Sequence, residues 1–169
     1  MMWLKYFITI ILLYLLAILQ NSFFAHYSLF GASPNFVFIL FFILIFFTKK
    51  DNYYYIIFSA IFAGLFLDTF SVVFFGISIV FFLLAGFAVK WVQAMLQINK
   101  SDNFPLVYFL PIFSIALLAY DLILQIFSFN LGFFIGLAYN LAFASIFFFI
   151  YKKFFLSSEN NRQLNLFSE

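Results

Sequence analysis

The sequence predicts an all-α polytopic membrane protein, a compact bundle of six transmembrane helices with both termini in the cytoplasm. Three observations predict it. Apolar residues make up 67% of the chain and charged residues 8%, apolar runs recur along its whole length, and its Lys and Arg residues fall in alternate connections. A soluble domain carries about 25% charged residues, so the polar surface here is too small to cover an apolar interior. We therefore take lipid as the solvent of the folded chain.

Six apolar runs follow one another, and most approach the roughly 20 residues that cross the hydrocarbon core of a bilayer. The predicted spans are Tyr6–Ser22, Pro34–Phe47, Tyr53–Asp68, Gly76–Val92, Leu106–Phe127 and Leu131–Tyr151. The second run is short, and an alternative start lies near Leu29. Because the runs are apolar all round, they favour helices over the alternating strands of a barrel. Residues 1–153 thus form one transmembrane domain, followed by a short polar cytoplasmic tail at 154–169.

The distribution of basic residues predicts the orientation of the bundle. Three of the connections (21–33, 69–75 and 128–130) contain no Lys or Arg. Short cytoplasmic loops of membrane proteins are enriched in these residues, so both termini are predicted to be cytoplasmic. An odd number of spans would break this segregation. The eight basic residues are Lys5, Lys49, Lys50, Lys90, Lys100, Lys152, Lys153 and Arg162.

Composition also excludes several classes of function. Cysteine is absent, which removes thiol nucleophiles, disulfides and thiolate metal sites, and the single histidine, His26, cannot build a polyhistidine metal site. A net charge of +2 is too small to indicate nucleic-acid binding. We predict no cofactor, no metal and no catalytic residue. An intramembrane enzyme is the least favoured alternative.

Two aspartates inside the predicted spans stand out, because an ionised side chain costs about 2.5–3.5 kcal/mol at the centre of an inserted helix. Asp68 ends the third run and Asp121 lies in the fifth, each about 15 residues, or roughly 22 Å, from the start of its run. Every Lys and Arg is predicted at the other face, so neither aspartate has an internal cation. Each can be accommodated by capping and hydrogen bonds, by protonation on burial, or by a cation on another protein.

We favour a different way of stabilising each aspartate. For Asp68 it is capping of the turn Asp68–Ser71, where Asx and hydroxyl side chains satisfy free backbone groups. For Asp121 we weigh an internal hydrogen-bond network with Gln125 and Ser114, which share its helical face, equally against protonation or an external cation. A proton relay would need further ionisable residues on the cytoplasmic half of these helices, and the sequence places none there.

Small residues recur at four-residue spacing in two of the runs. They are Gly132, Gly136, Asn140 and Ala144 in the sixth run, and Ala60, Gly64 and Asp68 in the third. Such spacing lets helix backbones approach closely, and Asn can form a hydrogen bond across the contact. We expect these residues to pack within the chain, with a dimer face as the alternative.

The sequence predicts the local roles of three residues at the starts of the second and fourth runs. Pro34 is predicted in the first helical turn, where its missing N–H has no cost. Asn35 is expected to satisfy nearby loop backbone, and Gly76 to start the fourth helix after an outer turn.

Several of these segments resemble the MreD family, small rod shape-determining membrane proteins of bacteria. The similar segments are Ser33-Pro34-Asn35-Phe36-Val37, Gly64-Leu65-Phe66-Leu67-Asp68-Thr69-Phe70-Ser71 and Phe75-Gly76-Ile77-Ser78. Asp121 and Asn140 fall where that family often carries an aspartate in the fifth span and an asparagine in the sixth. The resemblance covers nearly the whole chain in span count and order, but the region Lys100–Pro105 matches no motif.

The resemblance implies a non-catalytic scaffold of the bacterial cell-elongation machinery, located in the cytoplasmic (inner) membrane. Such a scaffold binds the bitopic protein MreC and helps to organise peptidoglycan synthesis and rod shape. Indirect partners would be the filament MreB, the glycosyltransferase RodA and a class B penicillin-binding transpeptidase. The resemblance also implies kinship of fold with the substrate-binding subunits of energy-coupling-factor transporters.

The alternative function is a substrate-binding membrane subunit of a small-molecule, vitamin-type transporter. It requires a pocket that is open to the outside, and Asp68, Asp121, Gln125 and Asn140 could line one. The candidate structural or partner-contact residues on either interpretation are Pro34, Asn35, Gly64, Asp68, Gly76, Asp121, Gln125, Gly132, Gly136 and Asn140.

Overall fold

A computed structural model describes residues 2–26, 28, 32–49, 52–71, 74–96, 105–124 and 131–153. Within these residues the chain forms six α-helices: α1 (Met2–His26), α2 (Phe36–Phe47), α3 (Tyr53–Thr69), α4 (Ile77–Met95), α5 (Pro105–Ile123) and α6 (Leu131–Tyr151). The predicted all-helical architecture is therefore confirmed, and α6 has the predicted bounds. The predicted tail at 154–169 and the alternative start at Leu29 lie outside the described residues.

Several helix ends differ from the predicted bounds of the apolar runs. α1 runs from Met2 to His26, beyond both predicted ends of the first run, and the side chains of Asn21, Ser22 and His26 form hydrogen bonds with carbonyl oxygens four residues earlier. At the other extreme, α5 ends at Ile123, four residues before the predicted end of its run. α4 continues three residues past its predicted end, to Met95.

Four helical segments are long and apolar enough to cross a bilayer: Trp3–Phe24, Ile77–Met95, Pro105–Ile123 and Gly132–Tyr151. They indicate a multi-pass membrane protein. The remaining two helices are shorter, with 12 residues in α2 and 17 in α3. At 1.5 Å per residue α2 covers roughly 18 Å, so it needs its flanking segments to complete a crossing.

The short helix α2 lies at the centre of the bundle, where it contacts α1, α3, α4 and α6. Eleven of its 12 residues are buried, as expected for a helix that is apolar on every side. Aromatic rings fill the space around it. Phe38 contacts Phe82 of α4 with ring centroids 5.5 Å apart, and Phe46 contacts Phe109 of α5 at 5.3 Å.

α3 and α4 form the most extensive helix pair, and two glycines make their approach possible. A Cβ added to Gly64 would lie 2.4 Å from the Cα of Ile79, and one added to Gly86 would lie 2.8 Å from the side chain of Ile56. The expected intramolecular role of the small-residue spacing is therefore confirmed in α3. In α6 a Cβ on Gly136 would meet only another Cβ, at an ordinary 3.6 Å.

The described Lys residues gather at one end of the bundle, which we call the basic end. The Lys5 ammonium lies 3.9 Å from the ring centroid of Tyr55 near the start of α3, and Tyr151 at the end of α6 stacks on Phe47 at the end of α2. The last turns of α3 and α5, with the two aspartates, lie at the opposite, carboxylate end. The described lysines at the basic end are Lys5, Lys49, Lys90, Lys152 and Lys153.

Candidate functional site

A partly enclosed cavity of about 410 Å³ lies at the carboxylate end. Its walls come from α1, the segment before α2, the ends of α3 and α5, and the first half of α6. Ligand pockets in proteins are about 300–1,000 Å³ in volume, so this cavity is large enough for a small molecule. The lining residues are Gln20, Asn21, Ala32, Ser33, Asn35, Leu67, Phe70, Ser71, Leu117, Tyr120, Asp121, Leu124, Gly132, Phe133, Gly136, Leu137 and Asn140.

Asp68 caps the start of α4 beside this cavity. Its carboxylate oxygens accept hydrogen bonds from the backbone N–H groups of Gly76 at 2.7 Å and Ser78 at 3.2 Å, and its side chain is buried. Gly76 has a φ of +103°, a left-handed conformation that glycine adopts without strain. A carboxylate at a helix N-terminus satisfies free N–H groups and complements the helix dipole.

The prediction for Asp68 was right about capping and wrong about the turn that is capped. The turn after Asp68 is closed by backbone alone, because the N–H of Ser71 donates to the Asp68 carbonyl at 3.3 Å. The carboxylate is then free to reach α4. Asp68 is absent from the lining of the cavity, so its role in the described residues is to hold α3 and α4 together.

Ser78 extends this contact from α4 to α5. Its hydroxyl lies 2.9 Å from the Tyr120 hydroxyl, and both side chains are buried. Sequence reasoning did not select either residue. Two signals were present: Ser78 stands in the segment that includes Gly76, and Tyr120 immediately precedes Asp121.

Asn35 and Asn140 form a second polar contact, between residues 105 positions apart. The backbone N–H of Asn35 donates to the side-chain oxygen of Asn140 at 2.7 Å. The Asn35 side chain in turn accepts from the N–H of Phe38 at 3.0 Å and caps α2. Buried irregular backbone at membrane depth needs partners of this kind, and Asn140 provides one.

The sequence predicted Pro34 in the first helical turn, and this prediction is wrong. Asn35 is the N-cap of α2 and the helix begins at Phe36, so Pro34 lies one residue before the cap. It is buried there, in the segment between Ala32 and α2. A residue without an N–H suits this buried position because it leaves no donor to be satisfied.

Asp121 lies in the last turn of α5, two residues before the helix ends at Ile123. Its partly buried side chain lines the cavity, and no described residue donates a hydrogen bond to its carboxylate. The predicted network with Ser114 is wrong, because that hydroxyl donates to the Leu110 carbonyl of its own helix at 2.7 Å. Gln125 lies outside the described residues. Both aspartates lie at helix C-termini, which do not stabilise an anion, but Asp68 accepts hydrogen bonds from the start of α4, whereas Asp121 accepts none from a described residue.

Two amides of α1 complete the polar part of the cavity wall. The side-chain oxygen of Gln20 is buried and has no hydrogen-bond partner in the described part of the chain. The Asn21 amide donates to the Ala17 carbonyl at 2.8 Å. Sequence reasoning missed both because it treated them as the polar end of a span, whereas α1 continues beyond them.

The basic end is closed by a buried pair, Lys90 and Gln93, which sequence reasoning did not select. The Lys90 ammonium donates to the Thr48 carbonyl and to the Gln93 side-chain oxygen, both at 2.8 Å. The Gln93 amide donates to the Phe46 carbonyl at 3.0 Å. Helices leave their last carbonyl groups unsatisfied, and this pair satisfies carbonyls at the end of α2. The signal was their spacing of three residues on one helix face.

The cavity brings together half of the predicted site residues. Those that line it are Asn35, Asp121, Gly132, Gly136 and Asn140. Those with packing or capping positions outside the lining are Pro34, Gly64, Asp68 and Gly76. Among the described residues, no group of three or more His, Cys, Asp and Glu side chains could hold a metal ion. The arrangement is therefore suited to binding a polar molecule or side chain through hydrogen bonds and one carboxylate.

Comparison of the chain with protein-family models, with curated proteins and with solved structures finds no match. The resemblance to the MreD family consequently stays a prediction from the segments quoted above.

Proposed function

We propose that the chain is a non-catalytic membrane scaffold of the bacterial cell-elongation machinery, similar in role to MreD. It would bind an MreC-like bitopic protein and help to position peptidoglycan synthases. The observation that supports the proposal is the convergence of the segments that carry the resemblance. They come from four parts of the sequence (33–37, 64–78, Asp121 and Asn140) and lie around one end of the bundle.

Two sets of hydrogen bonds carry this convergence. One joins Asn35 to Asn140. The other joins Asp68 to the start of α4 and continues through Ser78 to Tyr120 of α5. These residues thus fix the shape of a surface that a partner could recognise.

The proposed orientation places the basic end in the cytoplasm and the carboxylate end outside, because short cytoplasmic segments are rich in Lys and Arg. The chain has no cysteine, so single cysteines can test this. We expect a membrane-impermeant maleimide to label Phe74→Cys, at a residue 84% exposed, in spheroplasts. Lys49→Cys should react only after the membrane is opened. The opposite pattern would overturn the orientation.

The scaffold function is tested by isolating the tagged chain from native bacterial membranes. We expect an MreC-like bitopic protein to co-purify, and depletion of the chain to widen or round the cells. Asp121→Asn should weaken co-purification if the carboxylate end contacts the partner, whereas Lys49→Gln at the basic end serves as the matched control. Recovery of no bitopic cell-wall protein, together with unchanged cell width on depletion, would contradict the proposal.

A substrate-binding subunit of a small-molecule transporter is the second candidate, and the 410 Å³ cavity favours it. Of the residues that the sequence suggested for such a pocket, Asp121 and Asn140 line the cavity and Asp68 does not. Native mass spectrometry of the protein purified from its own membranes would detect a retained vitamin-sized molecule. Its absence, with an MreC-like protein present, would favour the scaffold.

A further inference from the structure

The cavity at the carboxylate end has an excess of negative charge. Asp121 is the acidic residue of its lining, and no Lys, Arg or His is among the described residues that form the wall. The described lysines lie at the basic end, and the three connections at the carboxylate end contain no Lys or Arg in the sequence. A partly buried carboxylate is costly unless it is paired or hydrogen-bonded, and Asp121 has no such partner among the described residues.

A second acceptor in the cavity wall also lacks a donor. The buried side-chain oxygen of Gln20 has no hydrogen-bond partner in the described part of the chain. This oxygen is fully buried and cannot be reached from the cavity, so Asp121 is the acceptor that needs a molecule with its own N–H donors.

Helix dipoles do not remove this excess. The first turn of α6 contributes Gly132 to the lining, and a helix N-terminus carries a partial charge of about +0.5. The last turn of α5, where Asp121 lies, contributes about −0.5. These partial charges oppose each other, so the full charge of the carboxylate remains.

Size and wall chemistry distinguish an organic cation from an inorganic one. A volume of 410 Å³ is far larger than a metal ion requires, and Leu117, Phe133 and Leu137 provide apolar walls. We infer that the cavity binds an organic ammonium or guanidinium group, with Asp121 as its counter-ion and the apolar walls in contact with the attached carbon skeleton. The inference goes beyond the scaffold proposal and does not require it.

Two sources could supply this group, a free amine or the basic side chain of another protein. We would measure binding to the purified chain in lipid nanodiscs by titration calorimetry at pH 7, with one charged probe for each source. Tyramine represents a free amine, and tyrosol, with a hydroxyl in place of the ammonium, is its neutral counterpart. Nα-acetyl-lysine amide represents a protein side chain, and its Nε-acetylated form is the neutral counterpart.

We expect at least one charged probe to bind saturably and about tenfold more tightly than its neutral counterpart, because hydrogen bonds to charged groups are the stronger ones. Preference for tyramine would indicate a free amine, and preference for the lysine derivative a partner's side chain. If neither charged probe binds more tightly than its neutral form, the inference is overturned.

Variants identify the counter-ion. Asp121→Asn should reduce the affinity for the preferred probe about tenfold or more. Asp51→Asn removes the same charge in the sequence between α2 and α3 and should leave the affinity unchanged. The thermal unfolding temperature of each variant shows whether it is folded. Unchanged affinity in a folded Asp121→Asn variant would exclude Asp121 and overturn the inference.

Discussion

The two ends of the bundle hold charged side chains in opposite ways. At the basic end, the buried Lys90 donates to a backbone carbonyl and to Gln93, and together the pair covers the end of α2. At the carboxylate end, Asp121 lines a cavity and accepts no hydrogen bond from a described residue. A charge that is satisfied by neighbouring helices contributes to the fold, whereas a charge left at a cavity is available for binding.

The same contrast separates the two aspartates within the carboxylate end. Both lie in the last turn of a helix, where the local dipole does not favour an anion. Asp68 overcomes this because the first N–H groups of α4 lie next to it. For Asp121 no helix start provides described donors, so identical side chains have different roles.

The largest effect on stability is expected from Gly64→Ala, which tests whether the close packing of α3 against α4 connects the two ends of the bundle. The new Cβ would lie 2.4 Å from the Ile79 Cα, and backbone must move to accept it. Overpacking of this kind costs about 3 kcal/mol, so we expect a large decrease in thermal unfolding temperature in detergent. Gly136→Ala is the control and should change stability by less than about 1 kcal/mol.

A smaller effect is expected from Asp68→Ala, and its comparison with Asp121→Ala tests the two roles directly. Loss of the carboxylate leaves the N–H groups of Gly76 and Ser78 without their acceptor, which should cost about 2–3 kcal/mol of unfolding free energy. Asp121→Ala removes no described hydrogen bond and relieves the cost of a partly buried, unpaired carboxylate, so it should not lower the unfolding free energy. Equal losses in the two variants would contradict the contrast.

The smallest of the three effects is expected from Lys90→Met, which keeps most of the side-chain volume and removes the ammonium. The Thr48 carbonyl and the Gln93 oxygen then lose a donor in a buried place, while the cost of burying a charge is relieved. We expect a net loss of about 1–2 kcal/mol in thermal unfolding experiments. Lys49→Met, at an exposed position, should have no measurable effect. A Lys90→Met variant as stable as the original chain would show that the basic end does not depend on this pair.

The positions of the helices and the identity of the basic end could be predicted from sequence, because both depend on composition along the chain. Apolar runs marked all six helices, and the spacing of Lys residues marked the two ends. Helix ends were less accurate because they depend on partners distant in sequence. Nothing near Asn35 indicates that Asn140 will receive its N–H, and nothing near Asp68 indicates that its carboxylate will reach the start of α4.

The candidate site could be predicted only in part for the same reason. Asp121 and Asn140 were conspicuous as polar residues in apolar runs, and both line the cavity. The buried contacts of Lys90 were missed because it was considered only as a basic residue that indicates the orientation, and its acceptor, the Thr48 carbonyl, lies on a different part of the chain. Gln20 was missed because its burial depends on how α1 packs, which local sequence does not determine.

The buried position of α2 has a consequence for how the protein is made. Ribosomes produce this helix before four of the five helices that surround it, and α6 is the last of these to be synthesised. Until then, hydrocarbon chains must occupy the places that protein neighbours will later fill. Side chains of Phe, Ile, Leu and Val on every side of α2 are compatible with lipid first and with protein neighbours later. The apolar sequence of α2 is therefore compatible with a stay in the bilayer before the other helices pack around it.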